Sequence, residues 1–155
     1  MDAELATLCQ ACGLCCDGSL FGRVPLAPGE AASARRNRLL VLDSERGFEQ
    51  PCTALSVRDT RSGPEHVCSI YRERPTACRS FACRLYDRHE REGGPLEPRL
   101  AAVQRVRQLV ADLQAQGLSP TDFEADPGNP SRPSESAKLA YAELMRRLEE
   151  DFARA

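Results

Sequence analysis

The chain has 155 residues, a formal net charge of -2, 41% hydrophobic and 5% aromatic residues, and no Trp. That length suits one compact domain or a small domain with an appendage, and the charge balance lacks the basic signature usual in nucleic-acid-binding domains. A core without large rings buries little apolar area per residue, so a small domain of this composition needs a further source of stability.

Lys138 is the single lysine, so nearly every cation is an arginine. Biased codon usage accounts for that; its functional counterpart would be guanidinium recognition of an anion. No segment approaches the roughly 18 consecutive apolar residues that span a bilayer. The stretch from Met1 to Cys9 lacks the positive and apolar regions of a secretory signal. The expectation is a cytoplasmic protein without membrane or nucleic-acid partners, in a compartment where thiols stay reduced. There, eight cysteines point to metal or redox chemistry before disulfides.

All eight fall early, at Cys9, Cys12, Cys15, Cys16, Cys52, Cys68, Cys78 and Cys83. Their abrupt end divides the chain into a cysteine-rich module, residues 5–92, and a helical extension, residues 93–155. In chain order, a helix is expected from Glu30 to Leu42, after Pro28. Two short strands follow, Thr53–Val57 and His66–Tyr71, around a loop from Asp59 to Pro64 marked by its Gly-Pro pair. Pro75 opens a helix expected to run through Cys78 and Cys83 to about Arg91, where Gly93-Gly94-Pro95 stops it. In the extension, Leu100, Val103, Val106, Leu109, Val110 and Leu113 recur at helical spacing before Gly117. A loop over 117–134 carries Pro120, Pro127, Pro130 and Pro133. The final helix, capped by Ser134 or Ser136, bears Tyr141, Met145, Leu148 and Phe152 as its stripe. Each of these helices should lay one face on something, and together they can dock a protein partner. The expected fold class is α+β, mainly helical: a small irregular metal-stapled module with a short hairpin, plus two C-terminal helices.

Cys9-Gln-Ala-Cys12-Gly13 has the spacing of a metal knuckle, in which two sulfurs reach one ion and the glycine takes a left-handed conformation. Cys12-x-x-Cys15 repeats that spacing and Cys16 follows at once, a far stronger signal than a single pair. Five residues separate Cys78 from Cys83, so on one straight helix they would point about 140° apart; either that helix begins late or they serve different parts of the cluster. Eight thiolates can complete two tetrahedral zinc sites, or one closed site and one left open. The first three cysteines also match an iron–sulfur ligand run, but the fourth Cys followed by Pro is missing, so a cubane needs a remote ligand such as Cys52 or Cys78. Zinc is the expected metal, with iron or an iron–sulfur cluster as the alternative.

A zinc–tetrathiolate centre carries net negative charge, and the arginines between Arg72 and Arg91 can offset it by hydrogen-bonding the sulfurs. Arg79, beside Cys78, is the leading candidate; a solvated amphipathic helix explains the same residues. His66 and His89 are weaker ligand candidates because eight thiols already suffice. Asp17 beside Cys16 would suit a harder ion. Tyr71 and Tyr86 read as core residues.

The run Cys9-x2-Cys12-Gly13-x-Cys15-Cys16, then Pro51-Cys52-x2-Leu55, then Cys68-x-Ile70-Tyr71-x3-Pro75-x2-Cys78-Arg79-x-Phe81-x-Cys83 resembles the CxxCxxCC cysteine-cluster family. That family, with small YkgJ-type members, is described as zinc- or iron-chelating. The resemblance covers about residues 9–85 and implies metal chelation at all eight cysteines. Some longer relatives are linked to flagellin lysine N-methylation. Without a Gly-rich loop after a strand, nothing here supports a site for a methyl donor, and that activity is not carried over. Four functions compete: a metal-binding protein with a structural or chelating role, an iron- or iron–sulfur-dependent protein-modifying enzyme, a thiol redox protein, and a secreted disulfide scaffold, against which the missing signal peptide argues. Eight cysteines exceed what a two-thiol cycle uses.

Overall fold

A computed structural model describes residues 3–118 and 134–152. The chain divides into two compact units, Met1–Ala82 and Cys83–Ala155. The class is α+β and mainly helical, with two small two-stranded antiparallel sheets where the sequence reading expected one hairpin.

In the first unit, α1 (Ala3–Cys12) buries Leu5 and Leu8. It ends at Gly13, whose φ of 66° lets its N–H reach back to the Cys9 carbonyl at 3.1 Å. This left-handed cap satisfies one of the helix's terminal carbonyls. Strand β1 (Arg23–Pro25) pairs with β2 (Gly47–Glu49), Val24 lying opposite Phe48. The sequence reading missed this pair because three-residue strands are too short to show alternation.

Between them, α2 (Ala31–Arg36) is shorter than the expected Glu30–Leu42 helix. The chain leaves it through Asn37 and Arg38, the latter at φ 62°, and Leu39 turns inward. The expected hairpin is present but displaced: β3 (Leu55–Thr60) pairs with β4 (Gly63–Cys68), Leu55 opposite Cys68, so strand takes up most of the expected loop.

Val24, Leu26, Ala31, Ala34, Leu39, Phe48 and Ala54 form the buried core of this unit, with Cys52, Cys68, Ile70, Ala77 and Cys78 packed on it half-buried. One aromatic ring among seven buried side chains makes a small core. Three thiols form part of its wall.

The helix expected from Pro75 to about Arg91 is two helices. Helix α3 (Thr76–Ser80) stops at Phe81, and Cys83, with extended backbone, caps α4 (Arg84–Glu92). Its Sγ accepts the Tyr86 N–H at 3.4 Å. Gly93 ends α4 at φ 62°, as expected.

In the second unit, α5 (Glu97–Ala115) buries Val103, Val106, Val110 and Leu113, and the chain turns at Gly117. Helix α6 (Glu135–Arg147) starts at Ser134, whose hydroxyl accepts the Ala137 N–H at 3.2 Å. The helix continues as one π-helical turn, Leu148–Phe152. The buried stripe is Ala137, Leu144, Leu148 and Phe152; Leu148 and Phe152 are buried as expected, whereas Tyr141 and Met145 are only half-buried. Arg84 donates to the Glu149 carbonyl at 2.9 Å and the Glu150 carbonyl at 3.2 Å, and Arg88 donates to the latter. These two arginines neutralise the carbonyl end of the last helix. The proline-bearing part of the 117–134 loop lies outside the described residues.

Candidate metal centre

Cys15 and Cys16 sit on the turn that follows Gly13. The Cys16 and Asp17 N–H groups both donate to the Gly13 carbonyl, at 3.0 and 3.1 Å. A glycine is required there on two counts. Its φ is positive, and a Cβ would stand 2.4 Å from Cγ of the His66 ring. That ring is held by Nδ1, 3.0 Å from the Gln10 carbonyl. The end of α1 and strand β4 therefore meet face to face, which fixes where the Cys15-Cys16 turn lies relative to Cys68 at the end of β4.

The Cys52 segment is tied to the same turn. The Cys52 N–H donates to the Cys16 carbonyl at 2.8 Å, and Gln50 Nε2 donates to the Cys15 carbonyl at 3.3 Å. Cys68 follows from the hairpin register, and the Ser69 N–H donates to the Ala54 carbonyl at 2.9 Å. Cys78 comes in on α3. Residues far apart in sequence thus bring five thiols, those of Cys15, Cys16, Cys52, Cys68 and Cys78, close enough to feel one another's charge.

Cys15 and Cys16 are the closest pair, Sγ to Sγ 4.0 Å. Hydrogen bonding between them pulls Cys15 below the ordinary thiol range and, with burial, pushes Cys16 up. Burial raises Cys78 to about 11, with the charges of Cys52, Cys68 and Cys15 adding to it. Burial also raises Cys52, against the pull of the Ala54 and Leu55 backbone N–H groups on its sulfur.

Arg74 is a cation that favours the thiolates of Cys15 and Cys78, as the smallest of the effects on each. Its guanidinium lies 3.7 Å over the Tyr71 ring, and Nε donates to the Tyr71 carbonyl at 2.9 Å. Tyr71 is 45% exposed, so it is a platform for Arg74 and not the core residue expected. Arg79 instead donates to Thr76 Oγ1 at 3.3 Å.

Cys9 and Cys12 stand on the last turn of α1, Cys9 exposed and Cys12 half-buried, and Cys83 heads α4. None of the eight cysteines forms a disulfide. Asp17 Oδ1 accepts the Ser19 N–H at 2.8 Å. His89 is buried on α4.

Among the described residues, no group of three or more His, Cys, Asp or Glu side chains is placed to hold a metal ion. The donor chemistry nonetheless fits a thiophilic ion. The five grouped donors are all sulfur, three of them are backed by apolar core, and backbone amides and a guanidinium offset negative charge. The 4.0 Å between Cys15 and Cys16 is close to the edge of a zinc–sulfur tetrahedron, about 3.8 Å for bonds of about 2.3 Å.

Neither a search of curated proteins nor one of solved structures yields a match. Residues 8–94 match the family CxxCxxCC, titled "Putative zinc- or iron-chelating domain". The match takes in more than half of the chain and every one of its cysteines, and the chain belongs to that family.

Proposed function

We propose that this protein binds a metal ion, zinc before iron, through four thiols drawn from Cys15, Cys16, Cys52, Cys68 and Cys78, in a structural or chelating role. The observation that carries this reading is the convergence of five thiols from four separate chain segments on the edge of one small core. Buried thiols repel one another once ionised, and a divalent cation turns that repulsion into attraction.

Zinc takes precedence because the grouped donors are all sulfur. The carboxylate and imidazole nearest in sequence are engaged elsewhere, Asp17 with Ser19 and His66 with Gln10. When bound, zinc would supply a cross-link between these chain segments. The protein's own residues set the geometry: Gly13 admits His66, the Cys16 carbonyl holds the Cys52 segment, and Arg74 offsets charge.

The wider reading assigns all eight cysteines, with Cys9, Cys12 and Cys83 added. Eight free thiols are suited to the reducing cytoplasm, where we place the protein. Elemental analysis and an absorption spectrum of protein purified without oxygen test the assignment. About one zinc per chain without visible bands supports a single site drawn from these five thiols, and about two supports the eight-cysteine form. Iron with sulfide and a broad band at about 400 nm would replace zinc with a cluster. No bound metal, with none taken up on titration, would overturn the proposal.

A further inference from the structure

Helix α3 carries Cys78 but has only five residues, too few to hold a helix by its own hydrogen bonds. No side chain at its cap residue, Pro75, serves its first N–H groups. The partner comes from 46 positions earlier. Glu30 Oε1 accepts both the Thr76 N–H and the Thr76 hydroxyl, each at 2.8 Å, while Oε2 accepts the Ala27 N–H at 2.9 Å.

The backbone of Glu30 is equally committed. Its N–H donates to the Ala27 carbonyl at 3.1 Å, and its carbonyl accepts the Ala34 N–H at 2.9 Å as α2 begins. One carboxylate therefore joins the turn at Ala27, the start of α2 and the start of α3. Those hydrogen bonds hold Glu30 below the usual carboxylate range, the Thr76 N–H first among them. Arg79 closes the arrangement from the other side through Thr76 Oγ1.

From these contacts we infer that Glu30 is a positioning residue for the metal centre: by anchoring Thr76 it sets the placement of α3 and so aims Cys78 at Cys52, Cys68 and Cys15. The inference rests on the proposed metal site for its functional meaning, but the anchoring itself can be read without metal. Cys78 lies two residues past Thr76, and Ala77 and Cys78 pack on the core. A shift at Thr76 therefore passes directly to the sulfur. Cys52 and Cys68 are held by other bonds, to the Cys16 carbonyl and by the hairpin register.

The test is thiol alkylation of the full chain followed by mass spectrometry of each cysteine, with and without added zinc. In metal-free protein, Glu30→Ala should speed modification of Cys78 relative to Cys52 and Cys68 by about fivefold, the opening expected from a lost helix cap. Glu30→Gln keeps one acceptor oxygen and should give a smaller change in the same direction. With zinc, the wild type should protect the thiols that hold it, Cys52, Cys68 and Cys78 among them, and Glu30→Ala should lose protection at Cys78 first.

An unchanged Cys78 in Glu30→Ala would overturn the inference. If Glu30→Ala exposes all thiols alike, Glu30→Gln decides: selective acceleration of Cys78 upholds it, and uniform or absent acceleration overturns it. Zinc that protects no thiol in the wild type would overturn the metal reading, while the metal-free comparison would still decide whether Glu30 places Cys78.

Discussion

At the scale of single residues, the centre depends on close approaches more than on strong bonds. Gly13→Ala would force a Cβ into the His66 ring at 2.4–2.7 Å while holding φ at 66°. We expect it to destabilise the first unit by about 2 kcal/mol, measured by urea unfolding, and to lower zinc uptake. Charge matters differently at the surface. Arg146 and then Arg147 draw Glu143 down to about 2, so its folded value is depressed. The stabilisation is present above the ordinary carboxylate value and is lost as pH falls toward 2. The melting difference between wild type and Glu143→Gln should therefore shrink across that window. It should also shrink with salt, because these groups are solvent-exposed.

At the scale of elements, the break between α3 and α4 answers the question posed by the spacing of Cys78 and Cys83. They are not on one helix, so the angle of about 140° that a straight helix would impose does not apply. Propensity alone does not place that break. Extended backbone at Phe81 and Cys83 separates two helices whose partners differ: α3 lies against β1 and α4 against the π-helical turn. The second unit depends on ordinary helix packing. Leu113 is fully buried, and Leu113→Ala should cost about 3 kcal/mol there, read as faster hydrogen exchange in α5 and α6.

At the scale of the whole molecule, the first unit pairs a small core with a group of thiols of which Cys16, Cys52 and Cys78 resist ionisation. Metal should therefore contribute much of its folding free energy. Stripping zinc with a chelator is expected to lower the melting temperature and reduce the far-ultraviolet signal, and restoring zinc should reverse both. Because burial raises Cys78 to about 11 and also raises Cys52, these thiols are protonated near neutrality and metal binding must expel their protons. Zinc loading at pH 7 should release protons, roughly one for each neutral thiol it binds, and occupancy should fall as pH drops. Proton release measured in weakly buffered solution checks this; metal bound without release would show that the thiols are not the ligands.

Much of this was legible in the residues themselves. Eight cysteines in family-specific spacing identify the family and its chelating character, because ligand chemistry demands those atoms whatever the fold. The helical repeats of α5, the Ser134 cap and the stops at Gly93 and Gly117 were equally readable, since periodicity and capping act over one or two turns. What the sequence could not decide is which distant segments meet. The β1–β2 pair, the His66 contact at Gly13, the tie of Cys52 to the Cys16 carbonyl and the reach of Glu30 to Thr76 all join residues far apart in the chain. Local propensity carries no information about such partners. Only the tertiary structure determines them, because each is selected by packing on a shared core and by the pairing of polar groups that folding would otherwise leave unsatisfied.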